Sequence, residues 1–128
     1  MRYYDTLATM QRDGFEIIVD KTWEDIPLAD LFDTSIDPDT GLPYYDVEQM
    51  ARDIDRGNLD YFMLRVRALV DGHELGSSYV GGFLYEDASE VLRDGIAEDM
   101  IYEAIAEAKK EALRLVGSLS KVVDTETV

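Results

Sequence analysis

The sequence predicts an α+β fold in which helices cover one face of a three-stranded antiparallel sheet. Apolar residues alternate with others over residues 60–70, which is typical of a strand with one buried face. Asp71 and Gly72 then predict a two-residue hairpin turn into a return strand over about 73–85. An apolar stripe at helical spacing over about 97–116 predicts a long C-terminal helix that packs on the sheet. At 128 residues, the chain is expected to form a single domain, 1–128, with its own core.

The first half of the chain supplies the third strand and two short helices. Residues 14–20 are rich in β-branched side chains after a glycine, which indicates a strand. Residues 26–32 predict a short helix with Pro27 in its first turn. Residues 33–45 contain proline, glycine and aspartate and predict a loop. Asp46 is expected to cap a helix that runs to about residue 55.

The remaining segments receive weaker assignments. Gly81 and Gly82, inside the return strand, indicate a bulge or the close approach of another backbone. Asp87, with a glutamate three residues later, predicts a short helix that stops at Gly95. Residues 1–13 show no pattern that selects an element. Residues 117–128 are expected to be a frayed tail.

Acidity is the strongest compositional signal. The chain holds 28 Asp and Glu against 12 Lys and Arg, a formal net charge of −16. Such a surface repels DNA, RNA and anionic membranes and is attracted to basic protein grooves. The composition therefore argues against direct nucleic-acid binding. A solvated surface that only aids solubility is the alternative interpretation.

The carboxylates are concentrated in two stretches. Residues 13–60 hold 14 carboxylates and three basic residues, a local net charge of −11. Residues 86–107 hold eight carboxylates and one arginine, a local net charge of −7. Because duplex DNA also presents closely spaced negative charge, such surfaces could occupy a groove built for that polymer.

No residue pattern predicts catalysis, a cofactor or a metal site. The chain has no cysteine and only one histidine, His73, which follows the hairpin turn and is expected to be exposed. The run from Asp37 to Glu48 begins like a calcium loop, but the sixth position is Leu42 where the sharp turn needs glycine. Ser77 and Ser78 lie inside a predicted strand, away from any nucleophile-elbow pattern. We therefore expect a protein that is not an enzyme and holds no metal.

The chain is also expected to be soluble and cytoplasmic. Its longest apolar runs are far shorter than the roughly 18 residues that a membrane span needs. Its N-terminal residues lack the charged-then-apolar layout of a signal peptide.

Several segments together resemble small acidic proteins of phages and other mobile elements. The likeness covers about residues 14–115 and is carried by residues 55–62, 65–68, 74–82 and 85–86 and by the alanine-rich helix at 104–110. Those relatives that have a role often block bacterial defences, as anti-CRISPR and anti-restriction proteins do, and several resemble DNA. The resemblance implies an inhibitor in the host cytoplasm, and it transfers no site residue.

These observations lead to one hypothesis and one alternative. The hypothesis is a non-enzymatic inhibitor that binds the basic groove of a host nucleic-acid-binding protein, with DNA mimicry as one form of that binding. The alternative is a small interaction module that forms a homodimer through an apolar sheet face. The residues expected to bind the host protein are acidic side chains of the two stretches with two tyrosines as aromatic anchors: Asp37, Asp39, Tyr44, Tyr45, Asp46, Glu48, Glu90, Asp94, Glu98 and Asp99.

Overall fold

A computed structural model describes residues 2–126 and contains a four-stranded antiparallel sheet. The strands are β1 (Asp5–Arg12), β2 (Phe15–Trp23), β3 (Asp60–Val70) and β4 (His73–Tyr85), and they lie side by side in chain order. The α+β class and the antiparallel sheet are confirmed, but the expected number of three strands is wrong.

The additional strand is β1, in the stretch to which the sequence assigned no element. It is an edge strand with half of its residues exposed, so its apolar alternation is weak. The turn into β2 uses Asp13 and Gly14, with φ of 55° and 85°. The turn between β3 and β4 uses Asp71 and Gly72, with φ of 50° and 79°. Because both turns use the same Asp-Gly dipeptide, the first hairpin carried a signal that the sequence analysis did not use.

A single long helix covers one face of the sheet. It is α3 (Gly95–Glu126), and it packs mainly on β4 and β3. Gly76 of β4 lies directly beneath it, because a Cβ there would overlap the carbonyl oxygen of Ala104 and lie 2.6 Å from the backbone nitrogen of Ala108. The core between the helix and the sheet is mainly apolar; its largest fully buried members are Phe62, Ile17, Leu64, Met100, Val19 and Val66.

The C-terminal helix is longer than the sequence predicted. The expected limits were about 97 and 116, followed by a frayed tail over 117–128. Instead α3 continues without a break to Glu126, and the last two residues lie outside the described part of the chain. The prediction stopped at residue 116 because Gly117 and the serines after it are weak helix formers.

Shorter elements connect the strands. The segment between β2 and β3 contains α1 (Leu28–Leu31) and α2 (Val47–Asp55). Asp46 caps α2 as expected, with its carboxylate accepting from the Gln49 N–H at 3.1 Å. Between β4 and α3 lies a 3₁₀ helix (Ala88–Arg93), which ends before Gly95. The pairing of β3 with β4 is irregular at Gly81 and Gly82, as the glycine pair predicted.

The other face of the sheet carries a buried charge network. Asp20 is 1% exposed and accepts from Arg65 Nη2 at 2.5 Å, Arg67 Nη2 at 3.2 Å and Thr6 Oγ1 at 3.1 Å. The Arg65 guanidinium stacks on the Tyr4 ring, 3.5 Å from its centroid. Around this network the exposed side chains of the face include Thr9, Gln11, Glu16 and Tyr79. This face of the sheet is therefore polar. A homodimer through an apolar sheet face, the alternative that the sequence left open, is not favoured by it.

Candidate functional site

The acidic segment, residues 30–55, is anchored to the sheet through a buried carboxylate. Glu24, at the end of β2, is 8% exposed. Its Oε1 accepts from the N–H groups of Asp25 and Ile26 at 3.1 and 3.2 Å, and its Oε2 accepts from the Gly82 N–H at 2.9 Å. Tyr61 adds a second anchor, donating its hydroxyl to the Ile26 carbonyl at 2.8 Å. The chain therefore leaves the sheet in a defined direction.

A small hairpin shapes the loop inside the acidic segment. Ile36 pairs with Pro43, and backbone hydrogen bonds join Tyr44 to Ser35 and Tyr45 to Asp33. Gly41 has a φ of 72° at the turn, where a residue without Cβ adopts the left-handed region freely. At the base of the hairpin, the rings of Phe32 and Tyr45 lie 5.1 Å apart. The loop is thus an ordered platform that presents its side chains outward.

Several carboxylates of the acidic segment stabilise the loop that carries them. Asp37 accepts from the Asp39 N–H at 2.8 Å, which tightens the hairpin turn. Asp33 accepts from both the backbone N–H and the hydroxyl of Ser35, and these bonds lower the pKa of the Asp33 carboxyl. Both carboxylates thus support the loop while they stay at its surface.

The acidic segment is not neutralised by the chain's own cations. It carries eight carboxylates: Asp30, Asp33, Asp37, Asp39, Asp46, Glu48, Asp53 and Asp55. Its one basic residue, Arg52, donates to the side-chain oxygen of Gln49 at 2.8 Å. Across residues 2–124, the ion pairs of the structure include none of these eight carboxylates. The segment therefore presents a local net charge of −7, eight carboxylates against one arginine.

The second acidic region surrounds the start of α3, and its members differ in how far they are neutralised. Asp94 accepts from the Tyr85 hydroxyl at 2.6 Å and from the Ile96 N–H at 3.2 Å, and these bonds lower the pKa of its carboxyl. Glu98 forms an ion pair with Arg12 of β1. Within the described part of the chain, Glu90 and Asp99 are exposed and make no hydrogen bond or ion pair through their side chains.

An apolar recess lies where the two acidic regions meet. It has a volume of about 310 Å³ and is lined by Phe32, by β4 from Val80 to Tyr85, and by Ile96 of α3. Phe32 contacts Tyr45 of the hairpin, and Ile96 follows Asp94 on the chain. The recess thus joins the base of the hairpin to the start of α3.

Six of the ten expected binding residues lie at three places. Asp94 and Tyr45 each contact a residue that lines the recess, because Asp94 accepts from the Tyr85 hydroxyl and the Tyr45 ring lies against Phe32. Asp37 and Asp39 lie at the turn of the hairpin, at the end opposite Phe32, while Asp46 and Glu48 begin α2. Tyr44 and Tyr45 are 53% and 48% exposed, as aromatic anchors require. Glu98 is the weakest member, because Arg12 already neutralises its charge.

Sequence analysis did not identify the residues that hold the site in place. Glu24 and Asp20 are buried carboxylates, and neither was singled out among the many acidic residues. The signal for Glu24 was indirect: a Cβ at Gly81 would overlap its Oε2, so the glycine pair marks the place where this carboxylate enters. For Asp20, the arginines at alternate positions of β3 indicated a polar face without naming a partner.

Comparison with known proteins adds no relative to these observations. No family model matches the chain, and neither the curated proteins nor the solved structures compared with it gave a match. Within residues 2–126, no helix is both long and apolar enough to cross a bilayer.

Proposed function

We propose that this protein is a non-enzymatic inhibitor of a phage or mobile element that binds the basic nucleic-acid-binding groove of a host defence protein. The observation that supports this proposal is the acidic segment, whose eight carboxylates form no internal ion pair in residues 2–124. A lysine- and arginine-rich groove would supply the missing counter-charges.

The distribution of basic side chains supports the same proposal. Within the described part of the chain, at least seven Lys and Arg form ion pairs outside the acidic segment: Arg2, Arg12, Lys21, Arg65, Arg67, Lys109 and Arg114. Two of them, Arg65 and Arg67, pair with the buried Asp20. The acidic segment thus keeps its charge, and self-repulsion among its carboxylates is a cost that a cationic partner would relieve.

The site also offers non-electrostatic contact. Tyr44 and Tyr45 present large rigid rings beside the carboxylates, and the recess at Phe32 and Ile96 can accept an apolar side chain. Mimicry of DNA is the form of binding we propose, because the closely placed carboxylates of the acidic segment resemble the phosphates of DNA in charge.

The test is capture of host proteins at two salt concentrations with charge-matched variants. Immobilised protein is incubated with host lysate at about 0.1 M and about 1 M salt, which shortens the screening length from about 10 Å to about 3 Å. We expect nucleic-acid-binding proteins to be retained at the lower salt and released at the higher.

The site variant combines Asp39→Asn, Glu48→Gln, Glu90→Gln and Asp99→Asn, which are exposed positions without partners in the described chain. The control combines Asp5→Asn, Glu16→Gln, Asp71→Asn and Glu107→Gln and removes the same number of charges outside the acidic segment and away from the start of α3. The site variant is expected to lose the captured protein and the control to keep it. Equal loss by both variants would show that overall charge alone drives capture, and salt-indifferent capture would contradict the proposal.

A further inference from the structure

The last third of α3 projects beyond the sheet. The helix has 32 residues and is therefore about 48 Å long. Its buried residues end at Ala108, and every residue from Val116 to Asp124 is exposed. Near the point of departure, Lys109 forms an ion pair of 3.2 Å with Asp13 in the β1–β2 turn.

The projecting part carries an apolar stripe. Val116, Leu119, Val122 and Val123 form this terminal stripe, and they are 62%, 57%, 56% and 58% exposed. Their spacing of three and four residues continues that of Ile105 and Ala108, which face the core, and of Ala112, which is half-buried. A contiguous exposed stripe of this kind marks an interaction surface more often than scattered apolar residues do.

The chain itself offers little to keep this part helical. Gly117, Ser118 and Ser120 are weak helix formers, and the valines are only slightly better. Short helices without tertiary contacts are marginal in water, because packing of an apolar face supplies most of their stability. The terminal stripe therefore needs a surface from outside the chain.

We propose that a second copy of this chain covers the terminal stripe, in an antiparallel pair of projecting helices. Charge favours this occupant. The projecting part is nearly neutral, because residues 112–124 hold Arg114, Lys121 and Asp124, a net charge of +1, and Arg114 is paired with Glu111. The remainder of the chain carries −17. Two copies that meet through either acidic region bring strongly acidic surfaces together, and the antiparallel arrangement instead keeps the acidic bodies at opposite ends. A neighbouring negatively charged membrane is disfavoured by the same charge.

The part of α3 where the helix leaves the sheet has a recess that could receive the tip of a second helix. A recess of about 380 Å³ lies there, lined by Asp13, Phe15, Lys109, Ala112, Leu113 and Val116. In an antiparallel pair, the valines at the tip of one helix reach the recess of the other copy while Val116 meets Leu119. The same patch serves both copies, as a two-fold interface requires.

The test is the mass of the protein in solution across a wide concentration range. Sedimentation equilibrium of the wild-type chain is expected to show a monomer–dimer equilibrium that higher salt leaves unchanged or strengthens, since apolar burial drives it and salt screens the remaining repulsion. Leu119→Glu is expected to weaken the dimer by roughly 100-fold or more, because a two-fold interface contains the buried charge twice.

Lys121→Gln is the matched control. It makes the chain more negative by the same one charge, at a position at least 100° around the helix from every member of the stripe. It is expected to dimerise as the wild type does, and both variants should unfold at a similar temperature because both positions are exposed. A wild-type chain that is monomeric at every concentration overturns the proposal, as does Leu119→Glu that dimerises normally. Binding of the monomer to vesicles of zwitterionic lipid would assign the stripe to a membrane surface instead.

Discussion

Removal of the Glu24 carboxylate is expected to loosen the acidic segment and destabilise the fold. This side chain accepts three backbone N–H groups, from Asp25, Ile26 and Gly82, while it is 8% exposed. A hydrogen bond to a charged group contributes about 1.5–3 kcal/mol. Water can hydrogen-bond to some of these N–H groups in the variant, so we expect Glu24→Ala to lower the free energy of unfolding by about 3–5 kcal/mol.

Substitution of Gly81 tests whether the Glu24 carboxylate itself provides this stability. A Cβ there would overlap Oε2 of Glu24, so Gly81→Ala must displace the carboxylate and weaken its bond to Gly82. We expect a cost of about 1–3 kcal/mol from the buried N–H left unpaired. In the Glu24→Ala background that space is empty, and the same glycine substitution should be nearly neutral. The coupling between the two substitutions should therefore be about 1–3 kcal/mol.

The assay is urea unfolding of both single variants and the double variant, followed by circular dichroism. Glu16→Ala is the control, because Glu16 is an exposed carboxylate on the same strand; it should change stability by less than about 0.5 kcal/mol. Hydrogen exchange should also quicken at Gly82 in Glu24→Ala. A Gly81→Ala cost that is identical in both backgrounds would refute the role given to Glu24.

Two further substitutions test the packing of α3 and the start of the second acidic region. Gly76→Ala should cost about 1–3 kcal/mol or more in chemical unfolding, since its Cβ meets the backbone of Ala104 and Ala108; Gly95→Ala, with nothing within 4 Å, should not destabilise. Tyr85→Phe should raise the pKa of Asp94 toward its ordinary value, measured by NMR titration of the carboxyl carbon, because the Tyr85 hydroxyl is the main cause of the lowered pKa. Because the pKa of Asp94 is lowered in the folded protein, its ionised carboxylate stabilises the fold fully at any pH well above the ordinary value of about 3.9. The free energy of unfolding lost in Tyr85→Phe should therefore be largest at neutral pH and should shrink as the pH falls through the lowered pKa. An unchanged Asp94 titration would contradict this assignment.

Local patterns in the sequence were sufficient for most of the elements. The alternation in β3, the Asp71-Gly72 turn and the Asp46 cap each depend on residues within a few positions of one another, and all three are present in the structure. The same reasoning failed where local and tertiary preferences differ. β1 is an edge strand whose pattern is weak by itself, and its pairing with β2 stabilises it. The end of α3 contains weak helix formers, so the sequence predicted a tail where the helix continues.

The candidate site divides in the same way. The concentration of carboxylates in two stretches is a property of the sequence and needed no structure. The carboxylates that keep their charge unpaired could not be chosen from the sequence, because the ion pairs join residues far apart in the chain. Arg12 pairs with Glu98, and Arg65 pairs with Asp20. The recess between Phe32 and Ile96 likewise requires the segment after β2 to lie against β4, and the Glu24–Gly82 hydrogen bond joins the two. Helical and strand periodicity act over a few residues, whereas ion pairs and recesses require the folded chain to bring distant residues within a few ångströms, and only the tertiary structure decides that.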